Sequence, residues 1–335
     1  MTDTPPDTPS VVDKTRLVAA GAPVVAIRFL ARTAAFVLGE ETVLLVADKG
    51  DEMRAPAHDG GILATAGDGE RVITGGDDGK VVATAADGET AVLATDEKRR
   101  WIDHVACGPD GAIAWSAGKF AFMRPAKGDA KSIEVASTVG GLAFAPKGLR
   151  LAVAHYNGVS LWFPNAQAAP EKLEWKGSHH DVAFSADGKF LVTAMQEPAL
   201  HGWRTADAKH MRMTGYSARV RSFGWSASGK WLATSGSEQL VLWPFQSKDG
   251  PMGKQPQMYA AFAVRATTVA CHPKQEVIAV GYEDGLVLLV RIPDGADILA
   301  KRPGNAPVTA LAWNAAGNLV AFGTEDGEAG VISLN

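Results

Sequence analysis

The stretch Val220–Trp243, VRSFGWSASGKWLATSGSEQLVLW, restricts the fold of this chain more than any other feature, because the rest of the sequence repeats it with variations. In Arg221–Trp225 the aromatic residues Phe223 and Trp225 alternate with Ser222 and Gly224, a period of two that specifies a half-buried strand. Ala227–Lys230 supplies a turn, with Gly229 free to take a positive φ. Trp231–Thr234 returns, Ser237–Gln239 turns again, and Leu240–Trp243 closes the unit as an apolar run. The result is an antiparallel meander with locally closed hairpins. A single meander cannot bury both of its faces, so copies must pack on one another.

The copies are visible. The turn glycine recurs as Gly69, Gly111, Gly148, Gly188, Gly229 and Gly317, with Arg32-Thr33 before the first and Pro273–Gln275 in the remaining slot. Successive anchors stand about 40 residues apart, the period of a four-stranded propeller blade. Four residues before each anchor lie Phe29, Thr65, Cys107, Phe144, Phe184, Trp225, Cys271 and Trp313, a column expected on a packed face of each first strand. A second turn recurs as Asp77-Asp78-Gly79, Tyr156-Asn157-Gly158, Glu283-Asp284-Gly285 and Glu325-Asp326-Gly327, and Asx-Gly between apolar runs is a hairpin signal. The anchors count eight units.

Leu161-Trp162, Gly202-Trp203 and Leu242-Trp243, at the ends of third strands, and the pattern VAFSADG at Val182–Gly188 resemble the WD40-repeat β-propeller family, in the degenerate form of bacterial members. The resemblance covers about residues 15–335 and departs from the family in having no Asp after these tryptophans. The family's Gly-His before the first strand survives only loosely, in His58 and Ser178-His179, so its His–Asp network is expected to be missing from most units. The resemblance implies an all-β fold, a single propeller of four-stranded antiparallel blades. Eight is the expected number; seven, the family's commonest, is the alternative, reached if blade 1 or 2 is degenerate. It also implies that the N-terminal strand completes the last blade. Thr15–Ala20 is a spare strand, and the last unit lacks its outer one.

With 335 residues, 46% of them hydrophobic, the chain is long enough for one large core, and the unbroken repeat assigns residues 13–335 to one WD40-like domain. Residues 1–12, rich in Pro, Thr and Asp, are expected to be a disordered tail. No secretory signal and no long apolar run is present. Cys107 and Cys271 fall at equivalent repeat positions and are expected as buried thiols, which fits a cytoplasmic location.

The motif search yields no catalytic residue, no metal and no cofactor. There is no Gly-x-Ser-x-Gly and no Cys-x-x-Cys, and the paired carboxylates sit where hairpin turns need them. What remains is a surface. The loops leading into the first strands carry Arg99, Arg100, Trp101, His180, Tyr216, Arg219, Arg221, Arg265 and Arg302, residue types that anchor interfaces. The turns Asp78, Glu238, Asp284 and Asp326 would add acidic groups. Arg219 and Arg221 alternate and, on a strand, would share a face. The expected function is a non-enzymatic protein-interaction scaffold, monomeric, with a protein or peptide partner, no membrane role, and nucleic acid disfavoured by a net charge of −4. The alternative is a small-molecule or metal-dependent propeller enzyme, lactonase-like or quinone-dependent. Its inward polar groups would be Asp103, His104, His180 and Asp181.

Overall fold

A computed structural model describes residues 9–335. Among the described residues every regular element is a strand apart from two three-residue 3-10 turns, and the strands pair antiparallel within the sheets. The strands form seven sheets. Six have four strands each; they start at Val24–Leu30, Ile62–Gly67, His104–Cys107, Phe223–Trp225, Ala266–Cys271 and Val308–Trp313. The seventh has six strands and runs from Gly141–Phe144 to His210–Met213.

Seven sheets where eight units were expected is a correction, and its cause is local. The loss does not occur at the first or second unit. The fourth and fifth units are joined by two long strands, Leu151–Trp162 and Glu171–Phe184, of 12 and 14 residues. Leu151–Ala154 pairs with Gly141–Phe144, whereas Gly158–Leu161 pairs with Glu171–Glu174. Between these halves Asn157 (φ 69°) and Gly158 (φ 141°) reverse the chain. His155 Nε2 lies 2.9 Å from Ser160 Oγ, where a straight strand would separate them by roughly 16 Å. Glu171–Phe184 then passes from the last strand of one unit into the first strand of the next without a loop, so hydrogen bonding is continuous across the junction.

The chain divides into two compact units. The first comprises the chain up to Leu38, Val46–Gly50 and Tyr216–Asn335. The second comprises Gly39–Leu45 and Asp51–Gly215.

In the first unit the side-chain alternation of the strands distributes residues between two cores. Ile278, Val280, Tyr282, Leu288 and Val290 pack with Ala233, Leu240 and Leu242 of the preceding sheet. Their sequence neighbours Ala279, Val287 and Leu289 pack with Val308, Val320, Phe322 and Ile332 of the following one. Middle strands buried on both faces read as unbroken apolar runs for this reason. Two glycines set the spacing between sheets: a Cβ on Gly281 would stand 2.6 Å from Val308 Cβ, and one on Gly323 would collide with Val24.

Thr15–Ala19 pairs with Glu328–Ser333, from Thr15↔Ile332 to Ala19↔Glu328, so the spare N-terminal strand completes the last sheet. The expected disorder of residues 1–12 is corrected for those described. Leu299 N donates to Pro9 O (2.8 Å) and Val11 N to Leu299 O (2.9 Å), which satisfies backbone groups at the free edge of Asp297–Lys301. The rest of that tail, residues 1–8, lies outside the described residues.

The second unit repeats the pattern. Leu151 and Val153 face a core with Ala106, Ala114 and Met123, and Ala152 and Ala154 face one with Leu173, Leu191 and Trp203. A Cβ on Gly75 would meet Ile102 Cγ2 at 2.5 Å, the same hole filled by the residue leading into the next sheet.

Candidate interaction site

Buried hydrogen-bond networks anchor the segments that lead into first strands. His58 lies 3.0 Å from Asp78 Oδ1 and 2.8 Å from Thr74 Oγ1. His179 lies 2.8 Å from Thr193 Oγ1 and 2.9 Å from the Trp175 carbonyl, with its ring 5.5 Å from Trp203. In the Phe223–Tyr259 sheet a tyrosine takes the histidine's place. Tyr216 Oη lies 2.9 Å from Thr234 Oγ1 and accepts from Trp243 Nε1 at 2.7 Å. Burial pushes the Tyr216 phenol above its usual range. Its selection as a surface anchor is therefore corrected: its polar tip is already used inside the protein.

The first unit contains a cavity of about 660 Å³, walled by the first strands of its sheets. Arg28, Arg219, Arg221, Arg265, Glu283 and Glu325 supply the ionisable lining. The hydroxyls of the wall are used to join neighbouring sheets. Ser222 Oγ donates to Val269 O (3.2 Å) and accepts from Val269 N (3.0 Å); Thr267 Oγ1 donates to Val308 O (2.6 Å); Thr309 Oγ1 donates to Val24 O. Thr267 and Thr309 can do this because each occupies a register irregularity at the start of its strand, which frees it from the ladder. The charged groups are what the cavity presents.

Arg265 is paired with Glu283, with Nε and Nη2 at 2.9 and 2.6 Å from one oxygen, and this bond raises the guanidinium's affinity for its proton. Arg221 is exposed and has no hydrogen-bond or ion-pair partner among the described residues. The sequence placed Arg219 and Arg221 on a strand; the strand starts later, at Phe223, yet both residues line the same cavity.

Arg302 lies elsewhere in this unit, in a smaller cavity of about 290 Å³ with Leu17, Lys301 and Glu328. In the second unit Trp101 is 61% exposed and Arg99 is exposed, with φ 51°. Arg100 is corrected as a free anchor. Its guanidinium grips the buried carboxylate of Asp96 (Nη2–Oδ2 2.6 Å) and lies 4.9 Å above the Phe120 ring. His180 is half-buried with Nε2 3.2 Å from Ser178 Oγ.

The acidic turns serve the backbone and its neighbours. Asp284 accepts from Leu286 N (3.1 Å), Glu238 from Ser217 Oγ (2.8 Å) and Asp326 from Thr324 Oγ1 (2.5 Å), while Asp78 holds His58. Of the groups that would serve an enzyme, His104 is driven down to about 4 by burial, and burial raises Asp103. Among the described residues no three His, Cys, Asp or Glu are placed to hold a metal ion. Cys107 and Cys271 are free thiols, and burial pushes Cys271 up to about 12. No helix among the described residues is long and apolar enough to cross a membrane.

Sequence patterning did not mark Arg28, Glu283 and Glu325 as lining groups. Arg28 sits on a first strand beside the anchor-column residue Phe29, where alternation would have turned it away from that column's packed face.

Comparison with known proteins adds five likenesses. The model of the anaphase-promoting complex subunit 4 WD40 domain matches residues 265–335, and that of the WD domain, G-beta repeat, matches residues 209–243. Periodic tryptophan protein 2 homolog of Caenorhabditis elegans is 28% identical over 113 residues, 32% of this chain and 12% of that protein. WD repeat-containing protein 55 of Rattus norvegicus is 25% identical over 215 residues, 61% of this chain and 54% of that protein. The chain thus spans about half or less of these relatives. The crystal structure of a computationally designed protein, Ika8, superposes with a TM-score of 0.74 at 16% identity, over 93% of this chain and 96% of that one, which is a likeness of fold alone.

Proposed function

The chain belongs to the WD40-repeat β-propeller family, and from that premise we propose that it is a non-enzymatic scaffold that binds a protein or peptide partner. The observation that carries the reading is the gathering of Arg219, Arg221 and Arg265 around one cavity whose other polar wall groups are consumed by the fold. Interface anchors are typically Arg, Tyr and Trp. Arg99, Trp101 and His180 are further candidate positions in the second unit, and Arg302 is one in the first. The relatives' names speak of WD repeats and of a multi-subunit complex, which favours a binding role over chemistry.

Three further points belong to the same reading. Residues 13–335 are taken as one propeller domain. The six-stranded sheet is taken as two of the sequence units joined by continuous strands; the reversal at Asn157-Gly158 supports this. The compartment is taken as cytoplasmic, since two free thiols suit reducing conditions.

The test is affinity capture with cross-linking from native lysate, comparing wild type with an Arg219→Glu/Arg221→Glu variant of equal melting temperature. A partner cross-linked beside the cavity and lost in the variant is the expected result. Turnover of a small molecule by the pure protein, with no partner on any face, would overturn the scaffold reading.

A further inference from the structure

The smaller cavity of the first unit, about 290 Å³, is built by three parts of the chain. Thr15 and Leu17 alternate onto one face of the N-terminal strand, Phe322 and Glu328 belong to the sheet that this strand completes, and Lys301 and Arg302 stand at the end of Asp297–Lys301. Leu17 is 69% exposed although it lines the cavity, so a large apolar side chain is left without cover. Lys301 is the opposite case, a cation only 6% exposed. An ammonium carries three N–H donors. Two are spent, on Glu328 Oε2 at 2.9 Å and on the Arg302 carbonyl at 3.2 Å. The Phe322 ring, 5.7 Å away, attracts the charge without offering a lone pair. One donor of a nearly buried cation is therefore unspent among the described residues. The Arg302 guanidinium is exposed and has no hydrogen-bond or ion-pair partner among the described residues. Lys301 and Arg302 against Glu328 leave the ionisable lining with one net positive charge.

We propose that this cavity receives the C-terminal residue of a partner protein, its α-carboxylate taking the unspent Lys301 donor and the Arg302 fork while its apolar side chain covers Leu17. The inference rests on the scaffold reading and adds a contact separate from the larger cavity. A carboxylate has lone pairs enough to accept from an ammonium and a guanidinium together, and its single charge matches that of the lining. In a terminal residue the carboxylate and the side chain share one Cα, so one residue meets both the cations and the apolar wall. The volume agrees, since it falls just below the roughly 300–1,000 Å³ of pockets that enclose drug-sized molecules. An internal Asp or Glu fits less well, because a neighbouring residue must then supply the apolar group and the backbone must leave the cavity in two directions. A nucleic-acid strand would bring successive phosphates against Glu328 and leave Leu17 uncovered.

Two matched sets of random hexapeptides, immobilised by their N-termini with the C-terminus either free or amidated, are probed with the full chain. Retained peptides are labelled and titrated by fluorescence anisotropy against wild type, Arg302→Glu, Leu17→Ser, Lys301→Met and the distant Arg219→Glu/Arg221→Glu, each checked by thermal melting. Expected is retention by the free-acid set alone, enriched in apolar terminal residues. Binding should weaken about tenfold or more in Arg302→Glu and several-fold in Leu17→Ser, fall in higher salt, and stay unchanged in Arg219→Glu/Arg221→Glu. Arg302 and Leu17 are exposed, so these two variants decide the matter even where Lys301→Met does not fold. Amidated peptides that bind as well as free acids would overturn the terminal carboxylate as the occupant. N-acetyl-leucine competing as tightly as the best hexapeptide would replace the partner protein with a small free acid. Free-acid peptides indifferent to Arg302→Glu and Leu17→Ser, or no retention by either set, would sink the cavity assignment. The scaffold reading would survive that result if the capture experiment still yields a partner lost in Arg219→Glu/Arg221→Glu.

Discussion

Trp243 donates its indole N–H to the hydroxyl of Tyr216 at 2.7 Å, and the same hydroxyl lies 2.9 Å from Thr234 Oγ1. The phenol thus ties the loop before one first strand to the second and third strands of its sheet, the position His58 and His179 hold elsewhere. Tyr216→Phe leaves the indole N–H without its acceptor in a buried place. Expected is a loss of about 1–3 kcal/mol in urea unfolding. Tyr216→His, which restores a side-chain acceptor of the kind found in the other two networks, should lose less than Tyr216→Phe. Equal losses for the two would show that ring volume, and not the hydrogen bond, matters there.

Gly281 and Val308 fix the distance between two sheets, since a Cβ on the glycine would stand 2.6 Å from that of the valine. Gly281→Ala is expected to destabilise by about 1–3 kcal/mol through overpacking. Val308→Ala alone also destabilises, because it opens a cavity at a fully buried site. Combined, the two changes should cost clearly less than their sum, measured as a double-mutant cycle by chemical denaturation. Strict additivity would show that the two residues do not share the contact.

Removing the N-terminal segment in steps separates two contributions. Deletion through Ser10 removes the Pro9 contact with Leu299 and should lower stability by about 1 kcal/mol, an effect the sequence alone did not foresee. Deletion through Ala20 removes the strand paired from Thr15↔Ile332 to Ala19↔Glu328, exposes the edge of Glu328–Ser333, and uncovers Gly330 beside Thr15. A large drop in melting temperature is expected for the longer deletion, with the sample prone to self-association through the new edge. An unchanged melting temperature for that deletion would contradict the role given to the strand.

Legibility in the sequence followed how locally each feature is encoded. The turn after Trp225 was legible because Gly229 (φ 68°) announces its own backbone geometry, and so was the spare N-terminal strand. The union of two units into one sheet was not. It depends on Glu171–Phe184 passing without a loop through Gly177, and a glycine there reads equally as a turn or as a kink within a strand. Tyr216 and Arg100 looked like surface anchors by residue type, but their partners Trp243 and Asp96 become neighbours only through hairpin and loop closure. Arg219, Arg221 and Arg265 were found because loops before first strands converge in any stack of such units. Glu325 was missed because its turn was read for its backbone demand alone.

The last prediction concerns acid. His201 has no exposed surface and no hydrogen-bond partner at either ring nitrogen, and its ring stacks on Trp175 at 4.2 Å and meets Trp203 edge-on at 4.7 Å. Burial, reinforced by the neighbouring His179 and His210, drives it from an ordinary 6.5 down to about 3. Above 6.5 the imidazole is neutral in both folded and unfolded chains and contributes nothing to the pH dependence. Below 6.5 the unfolded chain takes up a proton that the folded chain refuses, so stability falls with pH until about 3, where the folded form protonates as well. At pH 5 the loss from this residue is about 2 kcal/mol. His201→Phe keeps a flat ring between the two tryptophans and removes both unpaired nitrogens. The variant should be at least as stable as wild type at neutral pH and should lose less stability between pH 6.5 and pH 4 in urea titrations. His104, lowered to about 4 by burial, contributes a residual slope of the same sign that survives the substitution. A variant whose pH profile overlays that of the wild type would show that His201 does not titrate across the unfolding transition in the way its surroundings require.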